Sequence, residues 1–250
     1  MRTITALILR EMGSTYGQSP GGYIWAVLQP LGMIVVLSIG FSLLLRAPSL
    51  GTSFLLFYAT GYLPYDLYGQ VATKTMNALK YSRPLLAYPR VTWLEAILAR
   101  FALNLLTVSA VSCILMTGIL AFEPNRSIIN FAYILQGFTM CAILGLGVGM
   151  VNCLLSGLFP VWKNAWAIIS RPLFLASGIL YIYEDLPAAA QAVLWFNPII
   201  HGTGLSRKGF YPTYEASYVS LEYGFGVGLI CILLGMLFMR THYRTILEMR

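Results

Sequence analysis

Ionisable side chains are scarce in this chain. Of 250 residues only 9 are Asp or Glu, 16 are Lys or Arg and 2 are His. Soluble domains carry charge on about a quarter of their residues, so an ordinary water-facing surface cannot be built from this composition. The two histidines, His201 and His242, lie far apart with no HExxH pattern or cysteine companion, which leaves no zinc site. None of the four lysines stands in a GxxxxGK[ST] loop, so the chain by itself does not hydrolyse nucleotide. There is no GxSxG and no carboxylate cluster beyond Glu184–Asp185, which removes the usual marks of a hydrolase or transferase. The four cysteines (Cys113, Cys141, Cys153, Cys231) form no CxxC pair and read as reduced packing residues.

What the chain has in abundance is apolar length. Hydrophobic residues make up 58% of it, and a helix that crosses a bilayer needs about 20 of them in succession. Six such runs are expected, at 23–45, 53–72, 97–122, 128–155, 164–183 and 224–239. Little chain remains between them, so residues 1–250 read as one all-α integral membrane domain. The first run is too long for a signal-peptide core. With six crossings both ends share a side, and 12 of the 16 Lys and Arg fall on it. Positive charge marks the cytoplasmic face, so both termini are expected there. The net charge of +7 reflects that asymmetry, and a nucleic-acid partner is not needed to explain it.

Residues 3–12, "TITALILREM", place Ile4, Leu7 and Ile8 on one helical face, as in an amphipathic helix lying in the membrane interface; a frayed terminus is the plainer alternative. Pro30 is expected to kink the first span. In the second, Phe54, Tyr58, Tyr62, Tyr65 and Tyr68 recur at helical spacing and make one aromatic face running down the membrane. Their hydroxyls need partners, supplied either by a water-filled path and a polar ligand or by neighbouring helix backbones. Asp66 in the same span is a functional candidate, because a carboxylate at membrane depth is costly.

After the second span comes the most basic loop, with Lys74, Lys80, Arg83 and Arg90. A short helix over 74–80 is expected, and Pro84 and Pro89 should bar a long continuation. Such a loop anchors to anionic headgroups or docks a soluble partner. "GLGVG" in the fourth span is no nucleotide fingerprint, since no strand precedes it. Gly145 and Gly149, and Gly224 and Gly228, have the small-xxx-small spacing of close helix packing instead.

The stretch "SGILYIYEDLPAAAQAVLWFNPIIHG" breaks the spanning pattern. Glu184, Asp185 and Pro187 end the fifth run. Two half-length apolar pieces then flank Asn197–Pro198 and stop at Arg207–Lys208. They predict a re-entrant helical hairpin over about 188–205 that lines or plugs the outer end of a path, with Trp195 and His201 on it. Irregular backbone at that depth must be buried in protein or line a cavity. A loop with surface-lying helices is the other reading.

Taken in order, "REMGSTYGQSPGGYIWAVLQPLG", "SRPLLAYPRVTWLEAILAR", "SGILYIYEDLP", "WFNPIIHGTGLSRKGFYPTY" and "LGMLFMRTHYR" resemble permease subunits of type-two ATP-binding cassette exporters, in the branch that exports capsular polysaccharide. The resemblance covers nearly the whole chain. It implies a homodimer in the bacterial inner membrane with two copies of a separate ATPase that binds ATP and Mg, and a lipid-linked polysaccharide as substrate. It also implies a periplasmic adaptor and an outer-membrane exporter that continue the path. By the same resemblance Arg10, Lys74, Lys80, Arg83, Pro84, Arg90 and Lys163 would couple to the ATPase, and the hairpin around Asn197–Pro198 would gate the outer end. One departure is "FPVWKN", where many such permeases carry an Arg-Asp pair; Lys163 keeps the positive charge. Other cargoes (O-antigen, teichoic acid) and a membrane-embedded transferase of envelope assembly are the competing functions.

Overall fold

The computed structural model describes residues 5, 7–12, 22–86, 91–123 and 128–248, which contain helices and no strand. Residues 7–12 are helical. The main elements follow as α1 (Gly22–Ser42), α2 (Phe54–Met76), α3 (Ala78–Leu86), α4 (Trp93–Phe122), α5 (Phe131–Leu158) and α6 (Trp162–Ala176). A 3-10 turn (Tyr183–Asp185), α7 (Ala188–Leu194), α8 (Pro198–Phe210) and α9 (Leu221–Glu248) complete it.

Among the described residues four helices are long and apolar enough to cross a membrane: Ile24–Ser42, Trp93–Phe122, Phe131–Leu158 and Leu221–Leu247. The helix at the second expected span, α2, has 23 residues and thus the length, but its tyrosines, Asp66 and Gln70 dilute its apolar character. The expected run 164–183 is helical over only part of its length. Its helix α6 has 15 residues, about 22 Å, against a hydrocarbon core of about 30 Å. It stops because Gly178 takes φ +68°, the left-handed conformation that closes many helices and that glycine adopts without steric cost. The apolar run continues to Tyr183 without a helix.

Other boundaries shift for local reasons. Helix α4 starts at Trp93 rather than Ile97 because Thr92 and Glu95 form a capping box: Glu95 N–H donates to Thr92 Oγ1 (3.2 Å) and Thr92 N–H to Glu95 Oε2 (3.0 Å). The expected 74–80 helix is divided at Asn77, which caps α2. Lys74 therefore belongs to α2, and α3 runs two residues beyond Pro84 to Leu86. Helix α1 passes through Pro30 uninterrupted. Helix α9 extends well past Met239 to Glu248.

Helix α5 is the axle of the bundle, with α2, α8 and α9 packed most extensively on it. Its glycines make this possible. A Cβ on Gly145 would lie 2.8 Å from Tyr68 O, one on Gly149 2.6 Å from Thr75 Cβ, and one on Gly147 2.6 Å from Gly228 O. Backbones approach this closely only where one of them carries no side chain. The expected packing role of Gly145, Gly149, Gly224 and Gly228 is what the helices display. Between α1, α2 and α4, Phe57, Tyr58, Leu63, Ile34, Val111, Leu115, Ile179 and Tyr211 form the largest buried cluster among the described residues.

Candidate functional site

The region expected as a hairpin holds two unlike helices joined at Asn197. Helix α7 has no buried residue, and Val193 and the following Phe196 are about 70% exposed. Helix α8 is buried along nearly its whole length. Asn197 makes the turn between them: its Oδ1 accepts from Ile199 N–H (3.1 Å) as the α8 N-cap, and its Nδ2 donates to Ala176 O (2.9 Å) at the end of α6. Thr203 Oγ1 donates to Ser177 O (2.8 Å). Arg207 donates from Nη1 to Tyr181 O (2.6 Å) and from Nη2 to Ile179 O (2.7 Å). Helix α8 thus supplies, with three side chains, the partners that the non-helical residues after α6 lack.

Arg207, expected with Lys208 to end the second apolar piece, is 2% exposed, with its guanidinium 4.3 Å from the Phe57 ring centroid. A guanidinium does not lose its proton in a protein, so the charge is held by carbonyl dipoles and an aromatic face. No sequence signal announces partners 26 and 28 positions upstream.

Trp195 Nε1 donates to Tyr218 O (3.1 Å), and its ring stacks on Tyr223 at 4.8 Å. His201 is held on both sides: Ser220 N–H donates to Nδ1 (3.2 Å), which leaves Nε2 to donate to Trp195 O (2.9 Å). This is the neutral tautomer, and burial pushes the imidazole below its ordinary pKa, with the Trp195 carbonyl opposing. Glu184 is exposed and accepts from Tyr214 Oη (2.9 Å); Asp185 is exposed beside it.

The aromatic face of α2 divides. Tyr58 and Tyr62 are buried in helix packing, Phe54 stacks on Tyr58 at 6.5 Å, and Tyr68, little exposed, lines a cavity beside α2 with Tyr65. Tyr65 turns toward α6, where its hydroxyl reaches Ser170 O (3.5 Å). Beside it Asp66 accepts from Tyr62 Oη and Gln70 Nε2, each at 3.4 Å. Asp66, Gln70 and Lys74, one helical turn apart, form a polar edge shared by two cavities. One, of about 170 Å³, opens toward Trp25 and Thr107; the other, of about 340 Å³, opens toward Trp166 and Ser170.

Charge gathers at the far end of the bundle. Lys80, Arg83 and Lys163 line a groove of about 640 Å³ with Leu79, Gly157 and Ile246. Arg83 Nη2 donates to Leu247 O (3.0 Å) and Lys163 Nζ to Asn77 Oδ1 (3.2 Å), so the groove joins α3, α6 and α9. Pro84 is exposed on α3. Arg10 is exposed in a neighbouring cavity with Glu11, Tyr81 and Arg100. Arg100, buried in α4, pairs with Glu11 and lies 4.3 Å from the Tyr81 ring, a clamp on the N-terminal helix that the sequence did not reveal. Lys74 faces the α2 cavities instead, and Arg90 lies outside the described residues. Among the described residues no three His, Cys, Asp or Glu side chains assemble where a metal could be held.

The described helices thus carry a buried α8, polar cavities along α2 and a basic groove between α3, α6 and α9. The ABC-2 type transporter model matches residues 2–211, and the chain belongs to that family. It is 27% identical over 245 residues to the polysialic acid transport protein KpsM of Escherichia coli, covering 98% of this chain and 95% of the relative. The capsule polysaccharide export inner-membrane protein BexB of Haemophilus influenzae is 26% identical over 241 residues, 96% of this chain and 90% of its own length. CtrC of Neisseria meningitidis serogroup B, of the same description, is 25% identical over 236 residues, 94% and 89%.

Proposed function

We propose that the chain is the permease subunit of an ATP-driven exporter that carries lipid-linked capsular polysaccharide across the inner membrane. The end-to-end similarity to inner-membrane proteins of capsule export carries this reading. The geometry agrees with it: polar and aromatic groups open onto the cavities beside α2.

In this proposal the chain crosses the membrane six times, with α2 and the broken α6 as the two crossings that length and composition alone do not mark. Both termini are cytoplasmic, residues 7–12 belong to an interface helix, and the α7–α8 hairpin re-enters from the outside as the outer gate. Two copies associate with two ATPase subunits that bind ATP and Mg, and the basic groove of Lys80, Arg83 and Lys163, with Arg10 nearby, receives them. A periplasmic adaptor and an outer-membrane exporter extend the path. The test is a mild-detergent pull-down of the tagged chain from native membranes, beside deletion of its gene. A stoichiometric nucleotide-binding subunit with vanadate-sensitive turnover, and loss of surface polysaccharide on deletion, are expected. A clean preparation with no ATPase, or unchanged surface polysaccharide, overturns the proposal.

A further inference from the structure

The two cavities on α2 share Gln29, Asp66, Gln70 and Lys74, so a single polar edge faces both. Asp66 and Lys74 are eight residues apart, about 12 Å along the helix. The groups between and around them suit a sugar. The amides of Gln29 and Gln70 offer donors and acceptors together, the Asp66 carboxylate accepts hydroxyls, and Trp166 presents an apolar ring face with a polar tip. Lys74 differs from its neighbours. It is half-buried at the mouth and makes no hydrogen bond or ion pair among the described residues. The charged groups near it, Arg100 and Glu11, are already paired with each other.

We infer that this cleft selects cargo by an anionic group bound at Lys74, with the adjoining neutral sugar ring held by Gln29, Asp66, Gln70 and Trp166. The order is fixed by charge: an anion at the Asp66 end would meet a carboxylate, whereas at Lys74 it meets an ammonium with three donors. The anion is a carboxylate on the sugar or a phosphate in the lipid linker, and the two share this chemistry. The inference rests on the export reading above and deepens it.

The test measures binding to the ATPase-bound complex in nanodiscs with three probes: tetragalacturonate, its carboxyl-reduced counterpart, and a neutral tetrasaccharide joined through phosphate to diacylglycerol. The wild type is expected to bind at least one anionic probe about tenfold more tightly than the reduced one, a difference of about 1.4 kcal/mol. Lys74→Gln should erase that preference and Lys74→Arg retain it, with complex assembly checked by size exclusion. Gln70→Ala should weaken all three probes, the reduced one included. Dependence on Lys74 for galacturonate assigns the sugar carboxylate; dependence for the phosphoglycolipid alone assigns the linker. No preference in the wild type, or a preference unchanged by Lys74→Gln, overturns the inference. Deletion of the gene reads the export proposal separately: if surface polysaccharide is lost on deletion while Lys74→Gln keeps full discrimination, only the cleft assignment falls.

Discussion

The guanidinium of Arg207 occupies the space that a side chain on Gly61 would need. A Cβ at Gly61 would stand 2.8 Å from Arg207 Nη2 and 3.3 Å from the Ile179 Cα. An α2 glycine therefore makes room for an α8 cation, which in turn holds the carbonyls of Ile179 and Tyr181 after α6 ends. Three segments of the bundle, α2, α8 and the residues after α6, meet at one charge.

Gly61→Ala should displace Arg207 and leave those carbonyls buried without donors. Each unsatisfied group costs about 1–3 kcal/mol, so a clear drop in melting temperature of the detergent-solubilised protein is expected. Arg207→Met should cost as much or more, and Arg207→Lys should recover only part, since a single ammonium does not reproduce the fork. A melting temperature unchanged in all three would remove Arg207 from the role of brace.

Substitutions of helix glycines should divide by contact, with Gly147 on α5 set against Gly32 on α1 and Gly118 on α4. Gly147→Val meets Gly228 O and Cys231 Cβ, and overpacking of this kind costs about 1–3 kcal/mol. Gly32→Ala and Gly118→Ala meet nothing within 4 Å and should melt no lower than the wild type. Equal losses at all three would contradict the close approach of α5 and α9.

Reversing charge in the basic groove should cut partner binding without unfolding the chain. Arg83→Glu with Lys163→Glu places like charges where an acidic ATPase surface would sit, a mismatch worth several kcal/mol. At least about a tenfold loss of co-purified ATPase subunit is expected beyond that of Arg83→Ala with Lys163→Ala, which removes the same links to Leu247 O and Asn77 Oδ1 without reversing charge. Full retention of the ATPase would move the docking surface elsewhere.

His201 sets a pH dependence whose sign is determined. Its folded pKa lies below the ordinary 6.5, so the unfolded chain takes up the proton first as pH falls. The stabilisation is complete above about pH 6.5 and is lost on acidification through the folded value. Protonation would also turn a second ring N–H toward Ser220 N–H. Thermal melts from pH 7.5 to 5 should fall more steeply for the wild type than for His201→Gln; parallel curves would exclude the imidazole.

Much of this architecture is legible in the chain. The Asn197–Pro198 turn is visible because proline and asparagine interrupt an apolar run, and the glycine seams are visible because their spacing repeats one helical turn. The early start of α4 was open to reading in "VTWLEA", where Thr92 and Glu95 spell a capping box. The early end of α6 was not: residues 177–183 remain as apolar as a helix, and the stop depends on the φ of Gly178. The α2 site was half legible. Helical spacing put the tyrosines on one face, but a face does not declare whether protein or solvent covers it, and Tyr65 and Asp66 rather than Tyr58 meet the cavities. Arg207 was illegible because its ligands are carbonyls, which every residue has.

The glycine seams also tie the two ends of the bundle to one helix. Bare backbone of α5 at Gly145, Gly147 and Gly149 lies against Val71, Thr75 and Cys231 of its neighbours, and Leu67, Val71, Ala142, Leu146 and Met150 interdigitate beside it. Helix α2, which carries Lys74, and helix α9, whose Leu247 carbonyl Arg83 holds, are therefore registered against the same α5, so the cleft and the basic groove share one reference frame.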